Sequence, residues 1–222
     1  MTKPYSIITK DTSIVSKYVS EGRVVAFPTG TSYGLAVNAL DGFALQRLKN
    51  LKNRPDEKTF TVFLSDKIWK KHFSLTSTEK KMLANVPNKA LTLLVKPKLS
   101  LEHLARNGLV GLRVIDHPLM KDLADKTLLP LTATSANKAD VPPCLSSQCI
   151  VGSFPGLLSD DQLNEVDSKG ASATTYDLSL AAIIDGGELP VSKSTTIAQI
   201  LNGTVKIIRP GELSLEELKG VL

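Results

Sequence analysis

Most of the devices that identify a chain at a glance are missing from this one. Only two of its 222 residues are cysteines, Cys144 and Cys149. They lie five apart with no histidine nearby, a spacing that matches no zinc site, so free thiols in a reducing compartment are the expectation. The three histidines, His72, His103 and His117, are scattered, which argues against a catalytic metal held by imidazoles. Aromatic residues make up 5% of the chain, with one Trp, too few for the stacking array that reads single-stranded RNA. No apolar run approaches the roughly 20 residues of a membrane-spanning helix, and "MTKPYSIITKDTS" lacks the basic segment and apolar block of a signal peptide. A cytoplasmic protein with no membrane partner is expected. The chain also has no Gly-Lys-Ser/Thr phosphate loop, no Gly-x-Ser-x-Gly elbow and no kinase signature.

What is present is ordinary in bulk. Hydrophobic residues are 42% and charged residues 22%, enough to bury a full core, and one domain over 1–222 is expected. The net charge of +5 suits an anionic partner, and equally a merely soluble surface.

Periodicity predicts alternating helices and strands. A helix capped by Asp11 or Thr12 turns Ile14, Val15, Tyr18 and Val19 inward and stops at Gly22. Strands follow at 23–27 and 34–40. Asp41 caps a second helix with Phe43, Leu45, Leu48 and Leu51 inward, ended by Pro55. A strand at 59–64, two short helices within 68–86, strands at 90–96 and 108–115, a helix after Pro118 and a strand at 130–136 come next. Residues 146–178 read as short helices and polar loops. Strand-like runs at 181–187 and 194–200 lead through the Asn-Gly turn at 202–203 into 204–211, and a short helix covers about 214–221. This is a mixed α/β pattern of the α+β-like kind: one mixed sheet flanked by helices.

Four stretches place hydroxyls or cations at the edge of an apolar strand. The first is "FPTGTSYGL", with Thr29, Thr31, Ser32 and Tyr33. The second is "LKNLKNRPDEK", where Lys49, Lys52, Arg54 and Lys58 crowd the C-terminal end of a helix. Cations there also suit a solvated helix end, but so many like charges in a short loop repel unless an anion neutralises them. The third is "PLTATSAN", with Thr132, Thr134, Ser135 and Asn137, which also reads as a capping loop. The fourth pairs "KSTTI" with "IIRPGE", bringing Ser194, Thr195 and Arg209 to the ends of a hairpin, a pattern that ordinary cross-strand pairing also produces. Strand-edge loops of α/β sheets hold ligands, and cations with hydroxyl and backbone donors suit phosphate. From the residues alone, a cleft for a nucleotide or an RNA phosphate is expected.

In this order the segments resemble the YrdC-like family, the threonylcarbamoyl-adenylate synthases. "FPTGTSYGL", "LKNRPDEK", "GLRVIDHP", "ATSAN", "IIDGG", "STT" and "RPGE" follow the family's pattern over about residues 20–212. The resemblance implies a twisted mixed sheet with a basic concave face, in the short form of the family. It implies that L-threonine, bicarbonate and ATP, with Mg2+, give threonylcarbamoyl-AMP and pyrophosphate. The group would then pass to adenosine 37 of tRNA, with tRNA or the downstream transferase complex as partners. By position, Lys52, Arg54, Ser135 and Asn137 match the catalytic tetrad. Arg54, Lys58, Ser135 and Arg209 match ATP contacts, and Thr31, Arg113 and Ser194 match threonine contacts, with no metal ligand among the side chains. The chain departs from the family at Gly30, where relatives carry Asp or Glu, in "NKADVPPC", which lacks a Ser-Gly, and in "EKTFTVFL", which lacks a Pro-Leu. Gly30 would let the loop turn through positive φ if the site needs it. A family member of altered activity and a non-catalytic RNA-binding module are the alternatives.

Overall fold

In the strand Val24–Pro28 (β2) every residue is buried. Val24 and Ala26 enter one apolar cluster, Val25 and Phe27 another. A strand buried on both faces must lie inside a sheet covered on both sides. The computed structural model, which describes residues 7–55, 57–86, 90–114, 117–138, 141–154 and 179–222, shows that sheet. Its other strands are Ile7–Thr9 (β1), Tyr33–Ala36 (β3), Thr61–Phe63 (β4), Leu91–Val95 (β5), Val110–Arg113 (β6), Leu131–Ser135 (β7), Leu180–Ile184 (β8), Thr196–Leu201 (β9) and Thr204–Arg209 (β10). Among the described residues they form one ten-stranded sheet, ordered β1-β8-β2-β3-β7-β4-β6-β5-β9-β10. β1–β8, β8–β2, β4–β6 and β5–β9 pair in parallel, and the remaining neighbours are antiparallel. The mixed α/β expectation holds.

Helices Thr12–Ser20 (α1) and Pro118–Thr127 (α5) cover one face. Val15, Val19, Met120 and Leu123 bury there against Val25, Phe27 and Ala133. The other face takes Gly42–Lys52 (α2), Ser77–Asn85 (α4), Ser147–Ser153 (α6) and Leu215–Gly220 (α7), with the short helix Trp69–His72 (α3) and a 3-10 turn at Leu99–Leu104 nearby. Leu48, Met82, Ile150 and Leu218 pack there with Leu91, Leu93, Val110 and Ala198. The α1–α5 layer does not extend across the whole sheet. On β5 and β9, Leu94 and Ile197, which point away from the second cluster, join neither. Thr92, which is buried, and Arg113, its cross-strand partner, share that face of the sheet.

Asp11 and Asp41 cap α1 and α2 as expected, Asp41 accepting from the amides of Phe43 and Ala44. Three expectations need correction. Phe43 is 80% exposed, because on a helix it points about 200° away from Leu45, two residues on, and so away from the Leu45–Leu48 stripe. Ile14 is likewise only partly covered. α2 ends at Lys52, before Pro55, because Asn53 takes the left-handed conformation (φ 50, ψ 47). Strand β1 and the 3-10 turn are too short to show a period. Of the stretch 146–178, residues 155–178 lie outside the described residues.

Candidate active site

The opening loop is built on one hydroxyl. Thr29 is buried, and its Oγ1 donates to the Ser32 carbonyl at 2.7 Å while accepting the Thr31 and Ser32 amides at 3.2 Å. Such a side-chain bridge replaces the strand ladder across the turn between β2 and β3. Gly30 is exposed at its tip. It does not take positive φ, so the loop makes no use of that freedom, and a β-carbon there would meet nothing within 4 Å. The turn needs no glycine because the Thr29 hydroxyl already fixes it.

Arg113, the last residue of β6, reaches this loop. Its Nη2 donates to Thr29 Oγ1 at 2.9 Å and to Thr31 Oγ1 at 3.0 Å, while its Nε is buried with no hydrogen-bond partner among the described residues. Burial, and then the charge of Arg209, lower its pKa to about 10, which still leaves a cation at neutral pH. Arg209 closes β10 and donates to the Thr195 carbonyl at 2.7 Å. Thr195 Oγ1 meets Thr92 Oγ1 at 3.2 Å. Ser192 Oγ donates to the Thr31 carbonyl at 3.1 Å, tying the segment before β9 to the same loop. Thr31, Arg113 and Arg209 therefore converge. Ser194 is exposed and enters only through its carbonyl, which accepts the Glu212 amide. Thr92 was not singled out from sequence, although a lone hydroxyl inside "LTLLV" is the signal that could have found it.

Lys52 is not the exposed cation that its place in a charged loop suggests. It is 5% exposed. Its Nζ donates to the carbonyl oxygens of Ser135 and Asn137, the latter at 2.7 Å, and to Asn137 Oδ1 at 3.3 Å. Burial first, then the nearby Arg54, lower its pKa to about 8. Ser135 Oγ donates to Asn137 Oδ1 at 2.5 Å, and Asn137 Nδ2 donates to the Val141 carbonyl. Because Ser135 pairs with Gly34, this turn lies beside the opening loop. Arg54 stacks 4.9 Å above the Phe60 ring and donates to the carbonyls of Lys58 and Thr59. Burial lowers its pKa too. Lys58 is exposed and contributes that carbonyl, not its ammonium.

Two further ties hold the loops. The buried Tyr33 hydroxyl accepts the Gly186 amide at 2.9 Å and donates to the Gly187 carbonyl at 2.8 Å. Cys144 and Cys149 form a disulfide, which corrects the expectation of free thiols. The α6 turn, capped by Ser146, brings their α-carbons to 5.4 Å, within bridging range. The Cys144 backbone bonds to Tyr33 and Ala136, so the bridge braces the wall beside Asn137.

The charge pattern is one-sided. The described ion pairs join Lys67 with Asp125 and Lys126 with Asp122. None involves Lys52, Arg54, Arg113 or Arg209. A cavity of about 670 Å3 opens next to the Arg113 end of β6, toward Trp69 and Leu83; it excludes Lys52 and Ser135.

The molecule is thus a mixed α/β protein whose strand-edge loops gather cations and hydroxyls, with no ion pair to those cations among the described residues. The chain belongs to the Sua5/YciO/YrdC family, whose profile, described as "telomere recombination", matches residues 17–160. A Methanocaldococcus jannaschii protein provisionally named threonylcarbamoyl-AMP synthase is 26% identical over 92% of this chain and 87% of its own length. The Pyrococcus abyssi threonylcarbamoyl-AMP synthase is 28% identical over 94% of this chain, which spans only 56% of that relative. A solved P. abyssi Sua5 complexed with L-threonine shares the fold, with a TM-score of 0.76 at 24% identity, covering 100% of this chain and 61% of that one.

Proposed function

We propose that the chain is an L-threonylcarbamoyladenylate synthase, joining L-threonine, bicarbonate and ATP into threonylcarbamoyl-AMP and pyrophosphate for the modification of tRNA adenosine 37. The observation that carries this reading is the pair of like-charged clusters, Lys52 with Arg54 and Arg113 with Arg209, neither of which forms an ion pair with an acid among the described residues. Mutual repulsion inside a half-buried site is unfavourable unless an anion occupies it. A carbamate and a triphosphate meeting at one place supply that charge. The names of the relatives point to the same reaction.

In this reading the threonine carboxylate sits at Arg113, whose Nη2 is already oriented by Thr29 and Thr31 and whose Nε lacks an acceptor. The neutral amine attacks the bicarbonate carbon, whose C–OH bond breaks so that water leaves with a proton from the amine, and an oxygen of the resulting carbamate attacks the α-phosphorus of ATP as pyrophosphate leaves. Arg54 and Arg209 stabilise the charge that develops on the phosphates, and the Ser135–Asn137 turn shapes the wall. Positioning and charge stabilisation suffice for such a transfer. Mg2+ would neutralise phosphate charge. Among the described residues no three His, Cys, Asp or Glu side chains gather, so the donors present suit a nucleotide that brings its own metal. Hand-over to tRNA or a transferase complex completes the role.

The test is pyrophosphate release with each substrate omitted in turn. Release that needs threonine, bicarbonate and ATP together is the expected result. Release without threonine points to another nucleotide chemistry. No release, with RNA binding that weakens steeply with salt, points to a binding module.

A further inference from the structure

We infer that Lys52 is a positioning residue: its ammonium locks the Ser135–Asn137 turn and leaves direct contact with the anionic ligand to Arg54, Arg113 and Arg209. An ammonium has three donors and no acceptor. Lys52 presents them to three oxygens, the two carbonyls and Asn137 Oδ1, so its inventory is complete inside the protein. A phosphate oxygen could gain Nζ only by displacing one of them and leaving a carbonyl unpaired where the chain is half-buried, an exchange with little net gain. The side chain is also almost wholly buried, unlike a point charge placed to greet a ligand.

What the ammonium holds is a turn with no slack. Asn137 Oδ1 accepts from both Lys52 and Ser135 Oγ, and its amide is fastened to the Val141 carbonyl. The lysine comes from the last residue of α2 and the turn from the end of β7, so the clamp joins a helix terminus to a strand terminus across the fold. The guanidinium groups differ. Arg54 has two of its five N–H donors on protein carbonyls, and Arg209 uses a single Nη2 on Thr195. Both keep donors for a ligand. Lys52 keeps none.

The inference rests on the site being the nucleotide site proposed above. The test is a pair of double-mutant cycles on the whole chain: Lys52→Met with Asn137→Ala, and Lys52→Met with Arg54→Met. They are read in pyrophosphate release and, separately, in the Kd for ATP by calorimetry. Each single variant should lose about tenfold or more in kcat/KM. If Lys52 acts through the turn, Lys52→Met with Asn137→Ala loses no more than the worse single variant, while Lys52→Met with Arg54→Met loses close to the product of the two. Losses that multiply in the first cycle mean that Lys52 touches the ligand itself and overturn the inference. Lys52→Gln, which keeps two N–H donors, replaces Lys52→Met if that variant does not fold. If wild type binds ATP but releases no pyrophosphate, the proposed reaction fails, and the cycle in Kd still decides the role of Lys52. If wild type binds no ATP, both ideas fall.

Discussion

The resemblance drawn from the sequence puts an acid at the place of Gly30, and the loop does not need a glycine there for its backbone. Its β-carbon direction is open, so an aspartate fits without strain. Gly30→Asp is expected to lower the threonine KM several-fold, because a carboxylate beside Thr31 can hold the substrate ammonium. A charge-assisted hydrogen bond is worth about 1.5–3 kcal/mol when well formed, and exposure at the loop tip trims this. An unchanged or raised KM in a folded mutant would show that the missing acid is compensated elsewhere, or that the new carboxylate engages Arg113 instead. Lys52 makes a second residue-scale prediction. Its folded pKa of about 8 lies below the ordinary lysine value of 10.5. Below pH 8 both folded and unfolded chains carry the proton and the group adds no slope. Between about 8 and 10.5 the unfolded chain binds more protons, so stability should rise with pH, by at most about 1.4 kcal/mol per unit. Urea unfolding of wild type and Lys52→Met at neutral pH and near pH 10 checks this; a difference between the two that stays constant with pH would contradict it.

At the scale of elements, close approach separates one glycine from another. A methyl group on Gly211 would overlap the backbone of Ser194–Thr196, 2.5 Å from the Thr195 carbonyl carbon. That would push the segment before β9, and with it Thr195 and Arg209, out of place. Gly211→Ala should destabilise the protein by roughly 2 kcal/mol or more, whereas Gly42→Ala, in the open first turn of α2, should stabilise it by up to about 1 kcal/mol. Denaturant midpoints of the two variants decide it, and similar midpoints would sink the argument. The disulfide closes a short loop, so reduction should remove about 2 kcal/mol by the chain-entropy model. Thermal unfolding with and without reductant measures this. Much of this layer was readable in advance: the Asp11 and Asp41 caps, the Asn-Gly hairpin and the strand cores follow from local chemistry. Phe43 was readable too, since helix geometry alone sets it opposite the Leu45–Leu48 stripe, although the apolar side chain suggested burial.

For the whole molecule, the net charge of +5 and the four site cations, which form no ion pair among the described residues, make a joint prediction. Occupation of the site by ATP with Mg2+ should raise the melting temperature. Ligand at 100 times its Kd adds about 2.7 kcal/mol, worth roughly 5–11 °C for a chain of this size. Arg209→Met should cut the shift much more than Lys121→Met, which lies outside the cation clusters. Equal shifts for both variants would move the anion site elsewhere.

The sequence alone determined the mixed α/β order of elements and the four segments that meet at the candidate site. Both are written in local terms, in periodicity, caps and runs of hydroxyls and cations. The family resemblance assigned Thr31 and Arg113 to threonine and Arg209 to ATP, and the structure brings the three close together. Only the tertiary structure decided what each charged group does there. Helical spacing puts Lys52 in line with Leu45 and Leu48 and leaves Lys58 beyond Pro55, but it does not say what Lys52 meets there. Burial against the Ser135–Asn137 turn makes one a clamp, and exposure leaves the other a solvated side chain. The same holds for Cys144 and Cys149, whose pairing depends on a helical turn that sets their separation, and for Ser194, whose hydroxyl faces water while its carbonyl holds the chain. Contacts between residues far apart in sequence fix dielectric, partner and direction, and these are quantities that no short stretch of sequence contains.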